Sequence, residues 1–112
     1  MKYKTLECLQ TSDFFFLVPK LRMSIPVRNK TVDTATVTST SFRCLATGYP
    51  SPSYIWFKDG KRLIPNGKLS EQNSVLHLTS LDHRKTGWYT CSARNALGVL
   101  NSTAYLMIIR KG

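Results

Sequence analysis

Acidic residues are scarce in this sequence. Its 112 residues include six Asp and Glu against sixteen Lys and Arg, which gives a formal charge of +10. A chain this basic attracts polyanions, and heparan sulfate, nucleic acid and an acidic membrane surface all qualify on charge. Helix-turn-helix, zinc-finger and aromatic RNA-binding patterns are missing, so we do not expect nucleic acid as a partner.

Long apolar runs are also missing. No stretch approaches the roughly 20 residues needed to cross a bilayer, and the run from Phe14 to Val18 follows Asp13 and is too short for a signal peptide. With 42% apolar residues, six glycines and five prolines, the composition is that of one folded domain. We expect residues 1–19 to form an irregular N-terminal extension and residues 20–110 to form the domain.

The residue patterns of enzymes and metal sites do not occur. Cys8, Cys44 and Cys91 lack CxxC or Cys/His clustering, so we expect no metal site. His77 and His83 have no nucleophile or acidic partner at a motif spacing. The glycines are scattered and each fits a turn. We therefore predict a non-enzymatic protein without a cofactor.

Alternating apolar residues and frequent β-branched and aromatic residues predict an all-β chain. Lys20 to Val27 is the first predicted strand, and Pro26 suits an edge position. A second strand follows the Thr/Ser-rich run and ends near Ala46, and Asp59-Gly60 predicts a hairpin turn. Further strands are expected at Val75–Leu81, at Trp88–Asn95 and after Gly98. Seven or eight such strands favour a two-sheet sandwich.

Cys44, Trp56 and Cys91, with Tyr89 two residues before the second cysteine, have a characteristic spacing. Together with the segment from Leu81 to Cys91, they resemble I-set immunoglobulin domains from about Lys20 to Arg110. The resemblance implies an immunoglobulin-like β-sandwich, a Cys44–Cys91 disulfide packed against Trp56, and a tyrosine corner at Tyr89. Lys85 departs from the family pattern, which has Asp there, and predicts the loss of one local polar contact.

Ser41 to Cys44, Pro50 to Gly60 and Gly98 to Thr103 look like the second immunoglobulin domain of fibroblast growth factor receptors. In that family the first strand supplies basic residues to heparan sulfate and apolar residues to the growth factor. The resemblance implies a growth-factor contact at Met23 and Ile25, beside Pro26. It also implies a heparan sulfate contact at Lys20 and Arg22. We expect a sulfate-binding strip made of Lys20, Arg22, Arg28 and Lys30, and the alternative is an ordinary solvated basic surface.

The compartment is predicted from two N-glycosylation sequons, which begin at Asn29 and Asn101. They favour an extracellular or cell-surface receptor or adhesion protein. Thr90 to Asn95, however, also resembles domains of the intracellular palladin and myotilin group, so a cytoskeletal scaffold domain of the palladin or titin type is the alternative. Cytosolic I-set domains keep the two core cysteines as buried thiols, so the cysteine pair leaves both compartments open.

Outward-facing apolar residues predict a protein-binding surface. Strand parity places Ile55, Phe57, Tyr105 and Met107 on the outside, and in the family layout they lie on neighbouring strands of one sheet. Such a patch fits a protein ligand, an adhesion partner or a second copy of the domain. Coverage by the first strand or by the N-terminal extension is the alternative.

Overall fold

The computed structural model describes residues 19–63 and 74–109, and these residues form strands and one short 3-10 helix. The strands are β1 Lys20–Ile25, β2 Lys30–Asp33, β3 Thr40–Arg43, β4 Leu45–Tyr49, β5 Ser53–Lys58, β6 Lys61–Arg62, β7 Val75–Leu78, β8 Gly87–Asn95 and β9 Gly98–Ile109. The 3-10 helix spans His83–Lys85. No helix in the described part of the chain is long and apolar enough to cross a membrane.

The strands form two layers. One layer is a five-stranded sheet in the order β2-β9-β8-β5-β6, antiparallel except for the parallel pair of β2 and β9. The other layer consists of the pairs β1-β4 and β3-β7, and β3 continues into β4 through Cys44. The all-β immunoglobulin-like sandwich predicted from the sequence is therefore confirmed.

The core lies between the two layers, around a disulfide that joins Cys44 to Cys91. Trp56, Phe42 and Tyr89 have no exposed surface, and the rings of Phe42 and Tyr89 lie 5.1 Å apart between centroids. Tyr54 adds a polar link between the layers, because its hydroxyl accepts a hydrogen bond from the Ala46 amide at 3.0 Å and lies 3.2 Å from the Ala46 carbonyl. The disulfide and the buried Trp56 agree with the sequence prediction.

The tyrosine corner is also present. The Tyr89 hydroxyl donates to the Lys85 carbonyl at 2.6 Å, and burial raises the pKa of Tyr89 to about 12. Lys85 makes local polar contacts of its own, since its ammonium group lies 3.1 Å from the Thr79 carbonyl and 3.4 Å from that of Ser80. The Lys85 side chain thus ties the 3-10 turn to the end of β7.

The strand predictions were wrong in three places. β1 ends at Ile25, because proline at position 26 cannot donate a ladder hydrogen bond. The chain then crosses to the other sheet, where the Val27 amide donates to Ser102 Oγ at 3.1 Å. β2 was not predicted, because its four residues carry no clear alternation. β7 stops at Leu78 and not at Leu81, and Ser80 then has a positive φ of 52°.

Candidate recognition surfaces

The outer face of the five-stranded sheet carries exposed aromatic residues. Trp88 on β8 is directly paired with Tyr105 on β9. Their rings meet edge to face, with centroids 4.9 Å apart and an interplanar angle of 68°. Trp88 is 54% exposed and Met107, farther along β9, is 42% exposed. A sheet holds these rings in fixed positions, which lowers the entropy cost of presenting them to a partner.

The predicted patch residues share this outer face, but β5 and β9 are not neighbours. β8 lies between them, and across the sheet Phe57 is aligned with Thr90 and Thr103. Ile55 and Phe57 are half-buried, and so is Tyr105. Trp88, which was not among the predicted patch residues, adds an exposed ring between Tyr105 on β9 and Asp59 just after β5. Because Trp88 is next to buried Tyr89 on β8, strand alternation alone could have predicted that Trp88 faces outward.

Asp59 fixes the position of Trp88. The Asp59 carboxylate accepts a hydrogen bond from the Trp88 amide at 2.9 Å, and the Asp59 amide donates to the Trp88 carbonyl at 2.8 Å. The same carboxylate pairs with the Lys58 ammonium group at 2.7 Å. The hydrogen bond from Lys58, followed by that from the Trp88 amide, lowers the pKa of Asp59. The hairpin turn that the sequence predicted at Asp59-Gly60 is present, with φ of 50° and 82°.

The four predicted basic residues do not form one continuous strip. Lys20 and Arg22 are exposed on β1, in the smaller layer. Arg28 lies in the crossover and Lys30 on β2, in the five-stranded sheet. The Lys30 ammonium group stands over the Phe42 ring, 5.8 Å from its centroid. The sheet change after Pro26 separates the two pairs, because residues of equal parity share a face only within one strand.

Met23 and Ile25 point the other way on β1 from the exposed basic residues. Met23 Sδ lies 3.6 Å from Cys44 Sγ, and the side chain packs against the core. Ile25 is half-buried at the end of the strand. The alternation along β1 explains both positions. Met23 is therefore partly buried, and the predicted partner contact at Met23 and Ile25 stays a prediction.

Both sequon asparagines are exposed. Asn29 Oδ1 accepts a hydrogen bond from the Tyr105 amide at 2.9 Å. Asn101 lies on β9 and is paired with Ser92, which is paired in turn with Ile55. A glycan on Asn101 would thus leave from the outer face near Ile55. Four residues of β9, or about 13 Å at the usual rise per residue, separate it from Tyr105.

No group of three or more His, Cys, Asp or Glu residues that could hold a metal ion occurs within the described ranges. His77 is exposed on β7, and His83 is exposed in the 3-10 helix. Cys8 and the rest of residues 1–18 lie outside the described residues, so the N-terminal extension expected at residues 1–19 stays a prediction.

Sequence comparison finds relatives that include contactins and fibroblast growth factor receptor-like 1. The chain is 37% identical to Contactin-5 of Rattus norvegicus over 68 residues, which cover 61% of this chain and 6% of that protein. It is 28% identical to fibroblast growth factor receptor-like 1 of Gallus gallus over 95 residues, covering 83% of this chain and 20% of that protein. The chain thus spans only a small part of the relatives that it matches.

Structural comparison finds immunoglobulin domains of titin. Titin domain M7 superposes with a TM-score of 0.67 at 32% identity, with 82% of this chain and 97% of that domain covered. Residues 22–95 match the family described as Immunoglobulin domain. The match includes both cysteines of the disulfide, Trp56 and Tyr89. This chain belongs to the immunoglobulin domain family.

Proposed function

We propose that this domain is a recognition module of a cell-surface receptor or adhesion protein and binds a protein partner. The contact surface is the outer face of the five-stranded sheet, defined here by Ile55, Phe57, Trp88, Tyr105 and Met107. Its centre is the Trp88–Tyr105 pair, because a glycan on Asn101 would cover the end of the face near Ile55. The observation that carries the proposal is the edge-to-face pair of Trp88 and Tyr105 on an exposed sheet face. An exposed apolar patch of this kind is typical of an interaction site.

The residue types on this face favour a protein ligand. Trp, Tyr and Arg contribute most of the binding energy in many protein interfaces, and Arg94 lies on the same face of β8 as Trp88. The Arg94 guanidinium reaches Ser92 Oγ at 3.4 Å, while its Nε is buried without a hydrogen-bond partner. A partner carboxylate at this end of the face would meet the charge of the guanidinium group.

The charge of the domain favours a different protein over a second copy of itself. Two copies, each with a formal charge of +10, repel one another. A partner with an acidic surface gains from the same field, both in attraction and in the rate of association. Self-association is therefore the alternative to be measured, by sedimentation across a range of salt concentrations.

The cell-surface location is supported by a relative whose name is that of a receptor-like protein, fibroblast growth factor receptor-like 1. The Cys44–Cys91 disulfide and the exposure of both sequon asparagines are consistent with it. A cytoskeletal scaffold domain is the rival function, and the likeness to titin domains favours it. Intact mass of protein secreted from a glycosylating host separates the two. Added glycan and an oxidised pair support the cell surface, whereas failure to secrete, or unglycosylated protein with free thiols, supports the scaffold.

Binding can be tested with a dimeric fusion of the domain on an array of cell-surface ectodomains. Trp88→Ala is expected to weaken binding to any captured ectodomain by more than about 30-fold, the loss typical of a central aromatic residue. Val37→Ala is the control, because Val37 is an exposed apolar residue in the loop after β2. Equal binding by both variants would rule out the outer face as the contact surface.

Heparan sulfate is a second candidate ligand, and the exposed basic residues of β1 favour it. Two of the described aspartates lie elsewhere and are paired, Asp59 with Lys58 and Asp82 with Arg84, at 2.7 and 2.8 Å. Replacing Lys20 and Arg22 by Ala should lower the salt concentration needed for elution from heparin without a change in thermal stability. Elution at the same salt concentration would remove this site from consideration.

A further inference from the structure

A cleft opens at the edge of the sandwich where the chain changes sheets. β1 covers one side of β4 but stops at Ile25, and β3 pairs only with β7 in the described part of the chain. The strand that follows, β2, joins the other layer. Among the described residues, this edge of β3 therefore has no strand beside it, and a cleft of about 180 Å³ lies there, next to the crossover.

The lining of the cleft combines two kinds of side chain. Its apolar part is made of Ile25, Pro26 and Phe42, and its cationic part of Arg28, Lys30 and Arg43. Phe42 is fully buried against Tyr89 and forms a rigid base beneath the cleft. The apolar surface that a ligand can touch is therefore supplied by Ile25, which is half-buried, and Pro26, which is exposed. Arg28 and Arg43 are exposed, which leaves them able to turn toward a ligand.

The size of the cleft suits a single aromatic ring. A cavity of roughly 150 Å³ holds one benzene molecule, whereas sites for drug-sized ligands start at about 300 Å³. With three cationic side chains at its rim, the cleft matches a ring that carries an anion. We propose that it binds an aryl oxyanion ester of a partner protein, with tyrosine O-sulfate as the form that a cell-surface protein would meet.

A sulfated polysaccharide fits the same cleft poorly. Sugar hydroxyls need hydrogen-bond partners, and burying them against Ile25 and Pro26 leaves them unsatisfied. The exposed Lys20 and Arg22 on β1 are better placed to bind the sulfate groups of heparan sulfate. The cleft is separate from the outer face of the five-stranded sheet, and binding at either surface can fail alone. Only the choice of sulfate over phosphate rests on the proposed cell-surface location.

The test uses the full chain, labelled with ¹⁵N, and four probes. These are a short peptide with a central O-sulfotyrosine, the same peptide with O-phosphotyrosine, the same peptide with tyrosine, and a heparin oligosaccharide. We expect the sulfated peptide to shift the amide resonances of Arg28, Lys30 and Arg43 and to bind at least about tenfold more tightly than the tyrosine peptide. Tighter binding of the phosphorylated form would support the same chemistry and assign the ligand to an intracellular partner.

Matched double variants separate a site from a general charge effect. The variant with Arg28→Ala and Arg43→Ala loses two positive charges, as does the control with Lys20→Ala and Arg22→Ala. Only the first should lose binding of the sulfated peptide, by about tenfold or more. Ile25→Ala should weaken binding of the sulfated peptide, by about fourfold for each CH₂ group of Ile25 that the ring covers, while leaving binding of the heparin oligosaccharide unaffected. Equal reductions in the two double variants, or oligosaccharide binding alone at these residues, would overturn the proposal.

Discussion

Asp59 and Trp88 are joined by two hydrogen bonds, one through the Asp59 carboxylate at 2.9 Å and one between the main chains at 2.8 Å. Asp59 is in the hairpin turn after β5, and Trp88 is the second residue of β8. The link therefore connects the tip of one hairpin to the most exposed ring of the proposed contact face. It depends on Gly87, because a Cβ there would lie 2.6 Å from the Asp59 carboxylate.

Gly87→Ala should destabilise the domain and disturb the link. Gly87 has a φ of 154°, which an alanine adopts only with strain of about 1–3 kcal/mol, and the new methyl group would push the Asp59 carboxylate aside. Gly98→Ala is a close control, because Gly98 has a φ of 158° and open space around its Cβ position. Urea denaturation of both variants measures the difference. Equal destabilisation would show that the Asp59 hydrogen bond contributes nothing.

Acid should weaken the fold through Asp82 and Asp59. The Arg84 hydrogen bond lowers the pKa of Asp82 to about 2, and the Lys58 hydrogen bond lowers that of Asp59. A carboxylate with a lowered pKa stabilises the folded state above its unfolded pKa of about 3.9, and this contribution is lost as the pH falls. For Asp82 this stability is therefore lost between about pH 4 and pH 2. The melting temperatures of wild type and Asp82→Asn should converge as the pH falls through this range. A constant difference between the two melting temperatures would contradict a stabilising role for the Asp82 carboxylate.

Alkali should act on Tyr89. Its pKa is raised to about 12, first by burial and then by the Asp59 charge, so its contribution to stability is complete below pH 10 and is lost as the pH rises through 12. Absorbance titration should show a tyrosine ionisation near pH 12, and Tyr89→Phe should remove that step. Because the Lys85 carbonyl loses its donor, the variant should also be less stable by about 1 kcal/mol. A late step that survives in the variant would assign it to another tyrosine.

The two tryptophans should respond in opposite ways to truncation. Trp56 is fully buried beside the disulfide, and Trp56→Ala should cost about 3–5 kcal/mol through the cavity that it leaves. Trp88→Ala removes a ring that is 54% exposed and should cost about 1 kcal/mol or less. Guanidinium denaturation of the two variants measures both changes in the free energy of unfolding. A near-neutral Trp56→Ala would contradict the core assignment.

The alternation of residues along single strands determined much of the fold. Because neighbouring side chains in a strand face opposite ways, the sequence placed Phe42, Cys44 and Ala46 inward, and the spacing of Cys44, Trp56, Tyr89 and Cys91 identified the sandwich. The Asp59-Gly60 turn followed from local chemistry in the same way. These features depend on interactions within one strand or turn, or on a spacing that the family shares.

Only the tertiary structure decided which faces and edges meet. Parity says that a residue points outward but not which strand lies beside it, so the position of β8 between β5 and β9, and the role of Trp88, were missed. The sequence predicts one strip for the four basic residues, because it does not reveal the sheet change after Pro26. That change is set by the long-range pairing of β2 with β9. The cleft beside β3 has the same origin. Strand pairing between residues distant in sequence is a property of the assembled chain, and no local pattern encodes it.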